Sequence, residues 1–160
     1  MNFAIVERDY IRSHILPDFD WVHYATPSSI NSLQRPIRQA RVAMVTTCGV
    51  HRREGPPFNL QSKTGDPTYR EIPNDISFGG LRLSHVGYNT RKVSEDINCV
   101  FPLERLRELQ AEGILGSLNH RHFSFMGYIP VVEQLLGESG PGVARKLVAD
   151  GVDLILLAPA

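Results

Sequence analysis

The feature that most constrains this chain is its last segment, where a helix signal feeds a continuous apolar run. Ser139 and Pro141 open a helix, the residues VARKLVAD continue it, and Gly151 closes it. The run VDLILLAP, Val152 to Pro159, then reads as a strand. A strand without polar alternation is covered on both faces, as strands of parallel sheets are. Short helix-to-strand turns feeding such strands predict an α/β fold with a mostly parallel sheet flanked by helices. A buried parallel strand ordinarily continues into a crossover helix, so the chain is expected to hold only part of the full domain.

The rest of the chain supports that class. RVAMVTT, Arg41 to Thr47, is a Val-rich run without Gly or Pro and reads as a buried strand. CGVHRREGPPFN follows as a long loop, a kind of segment that often carries function. Leu81–Ser84 is a second candidate strand and Asp96–Phe101 a third. Pro102 suits the first turn of a helix in which Leu103, Leu106 and Leu109 share a face, with Gly113 as its cap. Phe123–Ile129 reads as a further strand or an extended turn. Residues 1–40 carry Pro17, Pro27 and Pro36 as breakers and read as an irregular arm. Phe19, Trp21 and Tyr24 are expected to pack that arm onto an α/β domain over residues 41–160.

Composition removes several function classes. The 160 residues balance 17 Lys+Arg against 17 Asp+Glu, so no electrostatic footprint for nucleic acid exists. Two cysteines are too few for a disulfide framework, which points to a reducing compartment and, by default, the cytoplasm. Glu7, Arg8 and Asp9 stand where a signal peptide needs its apolar stretch, and the longest apolar run, Val152–Ala160, is interrupted by Asp153. No membrane partner is expected.

In open α/β sheets, ligands sit at the carboxyl ends of the strands. Thr46-Thr47-Cys48, Ser84-His85 and Ala158-Pro159-Ala160 follow the three clearest runs. Cys48, three residues before His51, reads either as an activated thiol or, more commonly for such a pair, as a small residue at a strand end. Cys99 lies in an apolar run and reads as core. His51, His85, His120 and His122 with Cys48 carry no HxxxH or CxxC spacing, so no metal site is expected. His85 is the foremost candidate among the histidines. His122 alternates with Phe123 in a possible strand, while His14 and His23 belong to the arm. Asp66, Arg70 and Glu71 share a turn-rich loop. They read as a local ion pair with an Asx-turn, or as an Arg that grips a carboxylate, and spacing does not choose. Asp96 and Asn98 cap a turn or line a site.

Taken together, TTCGVHRREGPPFN, GDPTYREIP, RLSHVGYNTRKVSEDINCVFPLERLRELQAEGILGSL, HFSFMGYIP and VADGVDLILLAP resemble, in order and approximate spacing, the selenoprotein B family of glycine, sarcosine, betaine and D-proline reductases. The resemblance covers about residues 35–160. It implies a subunit for reductive C–N bond cleavage of a small amino-acid-like substrate. It also implies a partner subunit whose pyruvoyl group activates that substrate, with no cofactor in this chain. The family's nucleophile is a selenocysteine or cysteine, and a selenol suits the displacement better than a thiol of pKa ~8.5. The resemblance places it directly after VDLILLAP, so the catalytic residue is expected beyond Ala160. An in-frame UGA read as a stop, a chosen boundary, or a member without the redox half would each give this chain. Thr46, Thr47, Cys48, His51, Asp66, Arg70, His85 and Asn98 are expected to line the substrate pocket as positioning groups. The alternatives are a non-catalytic small-molecule-binding or regulatory module, and an enzyme that depends on Cys48. Apolar sheet edges left open would favour an oligomer.

Overall fold

The computed structural model describes residues 2–14, 17–21, 25–26, 28–29 and 31–160. The chain divides into two units, Met1–Ser32 and Leu33–Ala160. The readings placed on His23, Tyr24 and Pro27 lie outside the described residues.

The first unit holds helix α1, Phe3–His14, where an irregular arm was expected. Phe3, Val6 and Tyr10 stand at helical spacing, and no Gly or Pro interrupts the run. The charges at Glu7–Asp9 hide that periodicity. The Trp21 indole donates to the Ala4 carbonyl at 2.8 Å, and Phe19 meets Trp21 edge-on at 5.0 Å. Arg12 pairs with Asp20 at 3.4 Å.

The second unit is built on β1, Arg41–Thr46. Val42, Ala43 and Met44 are buried on both faces, as a Val-rich run without polar alternation demands. β2 (Val50–Arg52) and β4 (Leu81–Leu83) pair antiparallel in a separate two-stranded sheet. Two expectations change here. Part of the long loop after Cys48 is strand, and the Leu81 run does not join the parallel sheet. β3 is Arg70–Pro73, and Pro73 ends it. α2 is a single turn, Thr90–Val93, capped by the Asn89 side chain, which accepts from the Lys92 N–H. The expected strand at Asp96–Phe101 is instead a 3-10 turn over Ile97–Cys99, which buries Ile97 and leaves Cys99, expected as core, exposed. The Asp96 carboxylate accepts from the Asn98 N–H, which bends the backbone out of extension.

α3, Leu103–Ala111, buries Leu103 and Leu106, as their spacing predicts. β5 (Ser117–Leu118) and β6 (Arg121–Ser124) follow, and a π turn at Leu135–Ser139 leads into α4, Gly140–Ala149. β7 is Leu154–Ala158. Among the described residues the main sheet has five strands. β1 lies parallel to β5, β6 and β7, and β3 lies antiparallel to β6. The fold is thus α/β with a mostly parallel sheet.

The two sheet faces carry separate cores. Val42 and Met44 pack with Ile72, Phe101, Leu103 and Leu106, while Ala43 packs with Phe123, Val143 and Leu147. Apart from Ala43, each such side chain contributes about 1.5–3 kcal/mol by burial.

One irregularity organises the centre. From Val42 to Val45 is three steps on β1, but from Leu118 to Phe123 is five on β5–β6, so two extra residues bulge out. The Met44 N–H consequently meets the His122 Nδ1 at 3.0 Å rather than a carbonyl. A backbone N–H can only donate, so Nδ1 is the acceptor and Nε2 carries the proton. Nε2 donates to the Asn74 Oδ1 at 3.1 Å. Burial, and next the charge of Arg107, depress the His122 pKa to about 4. His122, one of the histidines weighed as a metal ligand, is therefore a neutral substitute for a missing strand hydrogen bond.

The amino ends of the strands are tied by charge. Arg121 holds Asp150 in bidentate fashion at 2.7 and 2.8 Å, and reaches Glu71 at 3.0 Å. Asn119 adds a bond to Asp150 at 2.9 Å, and Lys146 pairs with Glu71 at 2.9 Å. The Arg121 hydrogen bonds hold the Asp150 carboxyl at about 2. A carboxyl depressed in the folded state adds stability above its unfolded pKa of 3.8, and that stability is lost as pH falls toward 2. Asp150→Asn is expected to cost roughly 2 kcal/mol at neutral pH, discounted for the partial exposure of Arg121. It should also flatten the stability profile between pH 4 and 2, as read by urea unfolding across pH.

Candidate functional site

The carboxyl ends of β1, β6 and β7 meet at Thr46–Cys48, Ser124–Gly127 and Ala158–Ala160. The Thr47 N–H donates to the Ala158 carbonyl at 3.2 Å, and the Ala160 N–H donates to the Thr47 Oγ1 at 3.0 Å. The Phe125 N–H donates to the Thr46 carbonyl at 2.8 Å. Thr46 is buried. Its Oγ1 donates to the Val100 carbonyl at 3.1 Å and accepts from the Cys48 N–H at 3.2 Å, so the hydroxyl fixes the turn after β1.

Gly49 brings the smaller sheet to this edge. Its N–H donates to the Phe125 carbonyl at 2.8 Å, and its carbonyl accepts from the Ser84 N–H at 2.9 Å. Its φ of +70° suits glycine, and a Cβ there would lie 2.1 Å from the Ser84 carbonyl oxygen. His85 is thereby set beside Thr47. Its ring stacks on Tyr88 at 4.3 Å, and the Tyr88 hydroxyl donates to the Cys48 carbonyl. The His85 Nδ1 accepts from the Gly87 N–H at 2.8 Å, so the neutral ring carries its proton on Nε2. That Nε2 is buried without a hydrogen-bond partner. It faces Gly127, where a Cβ would come within 3.0 Å of Nε2 and 2.5 Å of the Thr47 carbonyl oxygen. Burial lowers the His85 pKa from 6.5, so the ring is neutral near pH 7.

Thr46, Thr47, Cys48 and His85 are thus brought to one edge. His51 adjoins them through Ser84 but is closed off. It is buried, its Nδ1 bonds the Arg52 carbonyl at 2.9 Å, and its Nε2 bonds the Ser84 hydroxyl at 2.9 Å. The Cys48 thiol is fully buried, and burial raises its pKa against hydrogen bonds that lower it. A neutral buried thiol is a poor nucleophile.

Asp66 and Arg70 act within their own loop. Asp66 accepts from the Asn59 N–H at 2.9 Å and the Thr68 N–H at 3.0 Å. Arg70 donates to the Pro56 and Pro57 carbonyls, each at 2.8 Å, and pairs with Asp66 at 3.5 Å. Its guanidinium also lies 4.2 Å above the Phe58 ring. Asn98 lines a different concavity of about 450 Å³ with Arg82, Asp96 and Glu104. Its amide donates to Asp96 at 3.1 Å and Glu104 at 3.3 Å. Tyr88 and Gly127 were not singled out in the sequence. The spacing His85–Tyr88 and the Gly just past the Phe123 run were the available signals.

Among the described residues no group of three or more His, Cys, Asp or Glu is placed to hold a metal ion. No helix among them is long and apolar enough to cross a membrane. The edge presents the Thr47 hydroxyl beside a neutral imidazole N–H that is buried under the Gly127 turn, and its Cys48 thiol is buried as well.

An α/β domain with an open carboxyl edge defines the class of protein. The family described as glycine/sarcosine/betaine reductase selenoprotein B matches residues 4–160, and the chain belongs to that family. The D-proline reductase subunit gamma of Acetoanaerobium sticklandii is 36% identical over 86% of this chain and 55% of its own length. The glycine reductase complex component B subunit gamma of Peptoclostridium acidaminophilum is 27% identical over 93% of this chain and 33% of its own. The sarcosine reductase complex component B subunit beta of the same organism is 30% identical over 79% of this chain and 29% of its own. The chain therefore spans about half of the D-proline relative and about a third of the others. No solved structure matches it.

Proposed function

We propose that this chain supplies the substrate-positioning edge of a B-type reductase subunit that works in the cytoplasm. The reaction is reductive C–N cleavage of glycine, betaine, sarcosine or D-proline. The observation that carries this reading is the family match over residues 4–160, joined to a neutral imidazole N–H without a partner at the sheet's carboxyl edge. All four candidate substrates carry a carboxylate on the carbon bonded to nitrogen. His85 Nε2–H is the donor for that carboxylate, with the Thr47 hydroxyl beside it, once the turn at Gly127 shifts to uncover the ring. Held neutral by burial, the imidazole donates one hydrogen bond without titrating near pH 7.

The cleavage consumes two electrons and two protons, drawn from a dithiol, and breaks the bond from nitrogen to the carboxylate-bearing carbon, which releases the amine from glycine, sarcosine or betaine and opens the ring of D-proline. A pyruvoyl group on a partner subunit would activate the substrate nitrogen as leaving group. In this reading the attacking selenol or thiol is neither Cys48 nor Cys99. Against an enzyme that depends on Cys48 stands the burial of its thiol.

His85→Ala tests the positioning role. It is to be made in a D-proline reductase subunit gamma whose matching stretch is replaced by residues 41–160 of this chain. The expected result is a kcat/KM at least tenfold lower, with most of the loss in KM, and partial rescue by His85→Asn, which keeps a donor. Unchanged kinetics would remove His85 from the site.

A further inference from the structure

The outer edge of β7 is built like an interior strand but is not covered like one. Ile155 and Leu157 stand in register with Ala43 and Val45 of β1, so they share the face that carries α4. Leu156 stands in register with Met44 on the opposite face. Met44 is 0% exposed and Ala43 0%, yet Ile155 is 42%, Leu156 38% and Leu157 69% exposed. β7 pairs with β1, and its other edge pairs with no strand among the described residues. Parallel strands are buried on both faces, and an open apolar edge is a template for another strand.

We infer that this edge is the docking surface for the remaining portion of a family-length B-type subunit. That portion adds a strand beside β7 and lays a helix over Ile155 and Leu157. The length relation supports this occupant, since the match that takes up 86% of this chain uses only 55% of the D-proline relative. A second copy of this chain fits less well. Pairing β7 with its own twofold mate would lengthen the sheet but bring no helix to either face. The inference rests on family membership and not on the proposed reaction, so the two fail separately.

The test measures amide hydrogen exchange at residues 154–158 in two arms. One mixes the chain with the portion of D-proline reductase subunit gamma that it does not match; the other joins the two in a single polypeptide. Exchange is expected to slow at least tenfold. Slowing in the joined arm alone assigns the surface to a continuous chain, and slowing in both shows that a separate polypeptide also docks. Leu157→Lys should abolish the slowing while leaving the melting temperature of the chain alone unchanged, because the residue is 69% exposed. Unchanged exchange in both arms, slowing that Leu157→Lys does not reverse, or slowing of the chain alone with a dimer in light scattering would overturn the inference.

Discussion

Replacing His122 by leucine is expected to lower stability at pH 7 by about 3 kcal/mol. The change removes the acceptor of the buried Met44 N–H and leaves the Asn74 Oδ1 without its donor. For a chain of this size, that corresponds to a melting temperature lower by roughly 10 °C. The pH dependence is more diagnostic. The folded-state His122 pKa of about 4 lies below its ordinary value of 6.5, so protons bind the unfolded chain preferentially between the two. Stability is therefore full above about pH 6.5 and lost as pH falls through 4, by roughly 3 kcal/mol. In His122→Leu the slope in this window should shrink to the smaller part that His85 contributes, while the Asp150 window between pH 4 and 2 persists. Urea unfolding at pH 7, 5.5, 4 and 2.5 separates the two. A wild-type slope that survives in His122→Leu would contradict this assignment.

Gly49→Ala is expected to have a comparable effect for a steric reason. Its φ of +70° disfavours any Cβ by about 1 kcal/mol, and contact at 2.1 Å with the Ser84 carbonyl forces the backbone to move. Overpacking of this kind costs about 1–3 kcal/mol more. The movement would be felt at His85, which follows Ser84 and owes its place to the Gly49–Ser84 hydrogen bond of 2.9 Å. Burial keeps the His85 pKa below 6.5, so loosening the ring should raise it toward that value. An NMR titration of the His85 ring in Gly49→Ala, beside a thermal melt, reads both consequences. A stable variant with an unshifted His85 would show that Gly49 does not hold the edge together.

The elements legible in the sequence were those whose burial is continuous. β1 and β7 announce themselves by Val and Leu runs without breakers, and α3 by Pro102 with Leu103 and Leu106. β2 spans three residues, too short for any period to show, whereas β4, equally short, was legible as the LRLS run but its antiparallel partner was not. The apolar run after Asp96 looked like a strand because its composition is apolar. The Asp96 side chain, not composition, decides the backbone there. The helical spacing of α1 was masked by its charges. At the site, Thr46, Thr47, Cys48 and His85 were legible because they follow apolar runs that end on one edge. What sequence spacing could not show is which side chains are already satisfied. His51, Asp66 and Arg70 look reactive on paper, but each has its polar atoms engaged by nearby backbone or, for the His51 Nε2, by the Ser84 hydroxyl. His85 differs through an unpartnered Nε2, which depends on the Gly87 N–H taking the other nitrogen.

The most direct measurement of the central claim is turnover by the D-proline reductase complex after residues 41–160 of this chain replace the matching stretch of its gamma subunit. The pyruvoyl-containing partner and a dithiol are supplied, with D-proline, glycine, sarcosine and betaine offered in turn. The account predicts cleavage of at least one of the four, lowered at least tenfold by His85→Ala. A chimera that folds, assembles with the partner and cleaves none of the four would contradict it.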